Sequence, residues 1–136
     1  LPDCRRRQRQ LAVLVLAVDE ICSAEGQPVP ALEERLMTEF GHRLRARVRS
    51  VDQVMWLGGR SHGVILCNCP LEATAAVQQR LVHALGGIYR LDSARVTVRC
   101  SVGAASYPAA GSNGEQLVAV AQQLQAAASA RHQAGG

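Results

Sequence analysis

Leu11 to Val18 is an unbroken apolar run, Leu-Ala-Val-Leu-Val-Leu-Ala-Val, that ends at Asp19. A strand with one wet face alternates apolar and polar residues, so a run without alternation needs cover on both faces. The chain must therefore wrap a central strand with layers on two sides, and its remaining segments supply them. After a polar stretch (Ser23 to Pro30), Pro30 suits the first turn of a helix in which Leu32, Leu36, Phe40, Leu44 and Val48 recur every four residues. Its last turns carry Arg43, Arg45, Arg47 and Arg49, which complement the carboxyl end of the helix dipole. Gln53–Leu57, the glycine-led Gly58-Gly-Arg-Ser-His62 and Gly63–Cys67 predict a β-hairpin. A second helix is predicted over Pro70–Leu85 and stopped by Gly86-Gly87, a strand over Val96–Ser106, and a last helix over Ser112–Arg131. The order β, α, β-hairpin, α, β, α has no internal repeat and describes an α/β or α+β sandwich with helices over one sheet.

At 136 residues one domain must carry everything. All fifteen basic residues are arginine, and this gives the formal +4 charge. Without a lysine, Schiff-base chemistry, a P-loop lysine and a kinase-type lysine–glutamate pair are excluded. Four of the arginines form the terminal run Arg5, Arg6, Arg7 and Arg9, which reads as a linker, and with one Trp, one Phe and two Tyr there is no base-stacking platform. No nucleic-acid partner is expected. No stretch approaches the roughly 18 apolar residues of a membrane-spanning helix. The chain begins Leu-Pro, so it is expected to be an excerpt of a longer protein, with any membrane contact only through the missing regions. Cys4, Cys22, Cys67, Cys69 and Cys100 are odd in number and irregularly spaced, which fits reduced thiols and a cytoplasmic location.

The buried strand ending near an acid, the long helix ending in Arg49-Ser-Val-Asp52 and the hairpin with Gly58-Gly59 together resemble the GGDEF family of diguanylate cyclase domains. Val96-Thr-Val-Arg-Cys-Ser-Val-Gly103 is similar to the family's late strand. The resemblance covers roughly Leu11 to Arg131 and implies a nucleotidyl-cyclase-like sandwich, a central, mostly antiparallel sheet flanked by helices. Residues 1–10 then form a basic linker or the remnant of a preceding helix, 11–132 a degenerate GGDEF domain and 133–136 a tail.

The family joins two GTP molecules into cyclic di-GMP across a dimer, with two metal ions held by carboxylates. At the matching positions this chain has Ala17 on the first strand and Arg60 after the glycine pair, a cation where the metal's ligand stands. Ser61 and His62 replace the rest of the Gly58-Gly59-Arg60-Ser61-His62 signature. The asparagine that reads guanine resembles Glu25 here, and the aspartate beside the base resembles Glu34. Cys22 replaces a lysine, the phosphate cations of the last helix fall near Ser129 and Gln133 with Arg131 close by, and only Asp19 remains of the first-strand acids. The resemblance therefore implies no cyclase activity and no metal or other cofactor.

The family's inhibitory product site is marked by an Arg-x-x-Asp ending five residues before the glycine pair. Arg49-Ser50-Val51-Asp52 has that spacing, and Arg80 stands where the next helix adds an arginine. An arginine fork can donate to guanine O6 and N7 or hold a phosphate, and a carboxylate can accept from guanine N1–H and N2–H₂. The implied ligand is cyclic di-GMP, and the implied partners are neighbouring domains of the same larger chain, with a homodimer as a further expectation. The plainer reading makes Arg49 a helix-terminal arginine, Asp52 a cap or turn residue and Arg80 a solvated helix position, in a module that dimerises or regulates a neighbour without binding nucleotide.

Other residues carry less. Cys67-Asn-Cys69 places two thiols on one face of a strand without the partners that a structural zinc requires, so buried cysteine is expected. His42, His62 and His83 lack a nucleophile or acidic partner in sequence, and Trp56 is expected to pack.

Overall fold

The computed structural model describes residues 10–107 and 114–135. Its elements are β1 (Leu11–Ser23), a 3-10 turn (Pro30–Leu32), α1 (Glu33–Arg47), β2 (Gln53–Gly58), β3 (Ser61–Cys67), α2 (Leu71–Leu85), β4 (Gly87–Leu91), β5 (Ala94–Tyr107) and α3 (Gly114–Gly135). The five strands form one sheet in the order β2-β3-β1-β5-β4, and every neighbouring pair is antiparallel. This is the expected α+β sandwich.

The apolar run sits at the centre, with β3 on one side and β5 on the other. Ala12, Leu14, Leu16 and Val18 face a core built with Leu36, Phe40 and Leu44 of α1 and Leu81 and Leu85 of α2. Leu11, Val13 and Val15 face the opposite side, where they meet Ile65, Ala105 and Ala121 of α3. Each fully buried leucine or valine contributes about 1.5–3 kcal/mol. On that second side α3 lies very close to the sheet: a Cβ on Gly103 would sit 2.1 Å from the Ala121 carbonyl oxygen. Glycine is therefore required at that position.

β1 runs to Ser23, five residues beyond the apolar run, through an irregularity between Val18 and Glu20. Beyond Val18 its polar residues pair with β5 and leave the fully covered region, so hydropathy alone does not mark its end. β4 is the strand that the sequence reading passed over. It alternates, burying Tyr89 and Leu91 between exposed Ile88 and Arg90, and Asp92 at φ 56° begins the turn into β5. Gly87 does not only stop α2; it starts this edge strand at φ 98°. α3 extends to Gly135, beyond the expected domain limit at residue 132. Among the described residues no helix is long and apolar enough to cross a membrane.

Candidate functional site

α1 and the β2–β3 hairpin run beside two cavities, one at each end of the helix. At the carboxyl end, a cavity of about 410 Å³ is lined by Arg47, Arg49, Asp52, Asn68 and Arg80 among others. The three residues singled out from the sequence, Arg49, Asp52 and Arg80, thus share one cavity. Arg47 was not singled out as a site residue; its place two residues before Arg49 was read only as helix-end charge.

The roles inside this set differ from expectation. Asp52 is 3 % exposed, and its carboxylate is already saturated. Oδ2 accepts from the Arg49 backbone N–H at 2.9 Å and from Arg49 Nε at 3.1 Å; Oδ1 accepts from Arg49 Nη2 at 3.0 Å and from the Cys67 N–H at 3.1 Å. Four donors fill the roughly four lone-pair positions of a carboxylate, so none is left for guanine N1–H and N2–H₂. Arg49 Nη2 also donates to the Cys67 carbonyl. The remaining nitrogen of the fork, Nη1, keeps its two N–H donors on a side chain that is 54 % exposed. Arg45 caps the corner, donating to the carbonyls of Asp52 (2.7 Å) and Arg49. Asp52 is therefore the anchor that aims Arg49. Arg47 and Arg80 are exposed and make no ion pair or hydrogen bond among the described residues.

Cys67, whose backbone serves both partners of this corner, is disulfide-bonded, which corrects the expectation of wholly reduced thiols at that position. Cys22, Cys69 and Cys100 are free. Cys67 and Cys69 do not share a strand face, because β3 ends at Cys67 and Asn68 turns the chain at φ 56°. Burial pushes the Cys100 thiol up to about 12, as suits a packing residue. Cys4 and the Arg5–Arg9 run lie outside the described residues, as do the side chains of Arg131 and Gln133.

At the amino end of α1, a cavity of about 680 Å³ is lined by Glu33, Glu34, His42, Trp56, Gly59 and His62 among others. Gly58 and Gly59 take φ 103° and 53°, so the tight turn needs glycine at both. Arg60 projects from this turn and donates to Glu33 Oε1 at 2.6 Å. That bond holds the Glu33 carboxyl below its ordinary value and raises Arg60, with nearby Asp19 adding to the latter. Ala17 pairs with Ser61 across β1 and β3. Asp19 accepts from Ser101 Oγ (3.0 Å) and Ser129 Oγ (2.8 Å), and Gln125 Nε2 donates to Ser101 Oγ at 2.8 Å. The surviving first-strand acid thus helps to dock α3. At the two positions that the resemblance matches to metal ligands stand the methyl group of Ala17 and the guanidinium of Arg60, neither of which can ligate a divalent cation, and among the described residues no cluster of three His, Cys, Asp or Glu could hold a metal ion.

Glu34 borders this cavity, whereas Glu25 lies in the turn after β1 and Cys22 bonds Glu20 at 3.1 Å. Two expectations are corrected. Trp56 does not pack inside: it is 67 % exposed, with its Nε1 donating to the Gly59 carbonyl at 3.0 Å. His62 is not at the hairpin tip but within β3, 6 % exposed, its ring 5.5 Å from that of Phe40. Burial holds its imidazole below the ordinary 6.5, and Nδ1 has no hydrogen-bond partner. His42 and His83 are exposed.

The antiparallel five-stranded sheet with these helices defines a nucleotidyl-cyclase-like domain. The family model for "Diguanylate cyclase, GGDEF domain" matches residues 1–134, and the chain belongs to the GGDEF family. Among solved structures it is similar to an EAL/GGDEF domain protein from M. capsulatus (TM-score 0.78, 24 % identity, 93 % of this chain and 82 % of that one). It is equally similar to the GGDEF domain of PA1120 (YfiN or TpbB) from Pseudomonas aeruginosa (TM-score 0.78, 22 % identity, 95 % and 81 %). Among curated relatives, it is 30 % identical over 114 residues to the bifunctional diguanylate cyclase/cyclic di-GMP phosphodiesterase MucR of P. aeruginosa, covering 83 % of this chain and 16 % of that protein. It is 27 % identical over 101 residues to the uncharacterized protein YhcK of Bacillus subtilis, covering 73 % of this chain and 28 % of that protein. The chain thus spans less than a third of either curated relative.

Proposed function

We propose that this is a catalytically inactive GGDEF domain that acts as a cyclic di-GMP receptor within a larger signalling protein. The observation that carries the reading is the carboxyl-end cavity, where Arg49 is aimed by a buried carboxylate and Arg80 lines the same space with no ion pair or hydrogen bond among the described residues. A dinucleotide brings two phosphates and two guanine Hoogsteen edges, and the arginines match either acceptor. Arg49 Nη1 and Arg80 make the contacts, and Asp52 serves as a positioning residue. The reading of inactivity is supported by Ala17 and by the Arg60–Glu33 ion pair: the cation beside Glu33 is the protein's own, and a divalent ion brought there would be repelled.

The saturated carboxylate of Asp52 favours a second reading, in which the corner only staples α1 to β3 and the domain regulates a neighbouring domain or dimerises without ligand. Calorimetry with cyclic di-GMP separates the two. Under the receptor reading, wild type gives saturable heat and Arg80→Ala loses it while remaining folded; under the second, wild type gives none. Incubation with GTP and magnesium tests inactivity, and accumulation of cyclic di-GMP would refute it.

A further inference from the structure

The end of β3 carries a covalent bond at the arginine corner. Cys67 is disulfide-bonded, whereas Cys22, Cys69 and Cys100 are free. A domain with apolar cores on both faces of β1 does not depend on a disulfide to fold, so the bond at Cys67 calls for another explanation. Cys67 is also the residue whose backbone holds both members of the corner. Its N–H donates to Asp52 Oδ1 at 3.1 Å, and its carbonyl accepts from Arg49 Nη2. Its Sγ lies 3.8 Å from the carbonyl oxygen of Val51, between those two residues. Amide, carbonyl and sulfur of one residue thus touch the same Arg49–Asp52 turn. Cys67 ends β3, opposite Leu11 at the end of the β1 ladder, and Asn68 then turns the chain at φ 56°. At such a frayed end a covalent restraint has more effect than in the middle of a strand.

We propose that the disulfide at Cys67 is a redox-operated clamp on the arginine cavity. The oxidised form holds Asp52 and Arg49 in the binding geometry; reduction loosens them and weakens the ligand, because the side chain that makes the contact is no longer pre-organised. A small monothiol such as glutathione supplies the electrons. Cys67 is 5 % exposed, so the attacking thiolate bonds to the other sulfur of the disulfide; the sulfur–sulfur bond breaks, and Cys67 leaves as a thiolate and takes a proton. A second thiolate resolves the mixed disulfide, which frees the partner cysteine as a thiol and releases oxidised glutathione. Two electrons have then passed to the protein, and a weak S–H donor facing the Val51 carbonyl replaces the covalent restraint. The effect on cyclic di-GMP rests on the receptor reading; the clamp on the corner does not.

Amide hydrogen exchange reads the clamp without ligand. The folded protein is compared in oxidised and reduced glutathione at the N–H groups of Arg49 and Cys67, both of which donate to Asp52. Thiol labelling measures the disulfide, and calorimetry with cyclic di-GMP is run on the same samples. Both amides are expected to exchange about tenfold faster after reduction, with those of central β1 unchanged. Cyclic di-GMP is expected to bind about threefold to tenfold more weakly. Cys67→Ser, with folding checked by circular dichroism, should match the reduced protein and no longer respond to glutathione. Equal protection of the two amides in both states, or a glutathione response that survives in Cys67→Ser, would overturn the clamp. Altered protection with equal, measurable affinity would overturn its control of the ligand. Altered protection with no binding in either state would support the clamp and refute the receptor reading alone.

Discussion

The two cavities lie along one 15-residue helix, about 22 Å long, one beside Glu33 to His42 and the other past its carboxyl end, and carry opposite charge. Acids Glu33 and Glu34 begin α1, and Arg45 and Arg47 end it, so both sets complement the helix dipole. The difference lies in what the charges do next. At the amino end the hairpin returns a cation, Arg60, that consumes one acid. At the carboxyl end the chain returns an acid, Asp52, that consumes only part of Arg49 and, among the described residues, leaves Arg47 and Arg80 uncompensated. One end holds an internal ion pair, and the other an excess of cations facing a cavity.

If that contrast is right, substitutions at the two ends should differ sharply. Asp52→Ala removes the acceptor of the backbone N–H groups of Arg49 and Cys67 and should cost about 3 kcal/mol in chemical denaturation. A loss under 1 kcal/mol would mean that Asp52 is not an anchor. Arg80→Ala removes an exposed, unpaired side chain, so stability should change by no more than about 0.5 kcal/mol while cyclic di-GMP affinity falls about tenfold to a hundredfold. The pairing of these two results sharpens the comparison, since loss of binding in Asp52→Ala alone could follow from loss of structure.

At the other end, His62 should make stability depend on pH. Its folded-state value lies below 6.5, so the folded protein binds fewer protons than the unfolded chain, and stability falls as pH drops through and below 6.5. Replacing His62 by glutamine should flatten that slope between about pH 7.5 and 5.5 in thermal melts. The smallest effect is expected for Arg60→Ala. Both members of its pair are 38 % exposed, so the loss should be about 0.2–1 kcal/mol, shrinking further at high salt.

How much of this was legible depended on whether one segment's pattern decided it. The run Leu11–Val18 alone required covered faces on both sides, and it has them. The family resemblance grouped Arg49, Asp52 and Arg80, and they line one cavity. The partners of Asp52 were not legible, because the Cys67 N–H that saturates it comes from fifteen residues away, through hairpin pairing. Nor was the fate of Asp19, which is set by the docking of α3 through Ser101 and Ser129. Trp56 misled because an aromatic on a strand is ordinarily buried; β2 is an edge strand, and burial there depends on what covers the edge. β4 was passed over because only Tyr89 and Leu91 carry its apolar alternation.

The central claim is that the carboxyl-end arginines bind cyclic di-GMP, and calorimetric titration of wild type beside Arg80→Ala tests it most directly. The account predicts saturable heat for the wild type and its loss in the equally stable variant. No heat from the wild type at tens of micromolar ligand, or identical isotherms for the two, would contradict it.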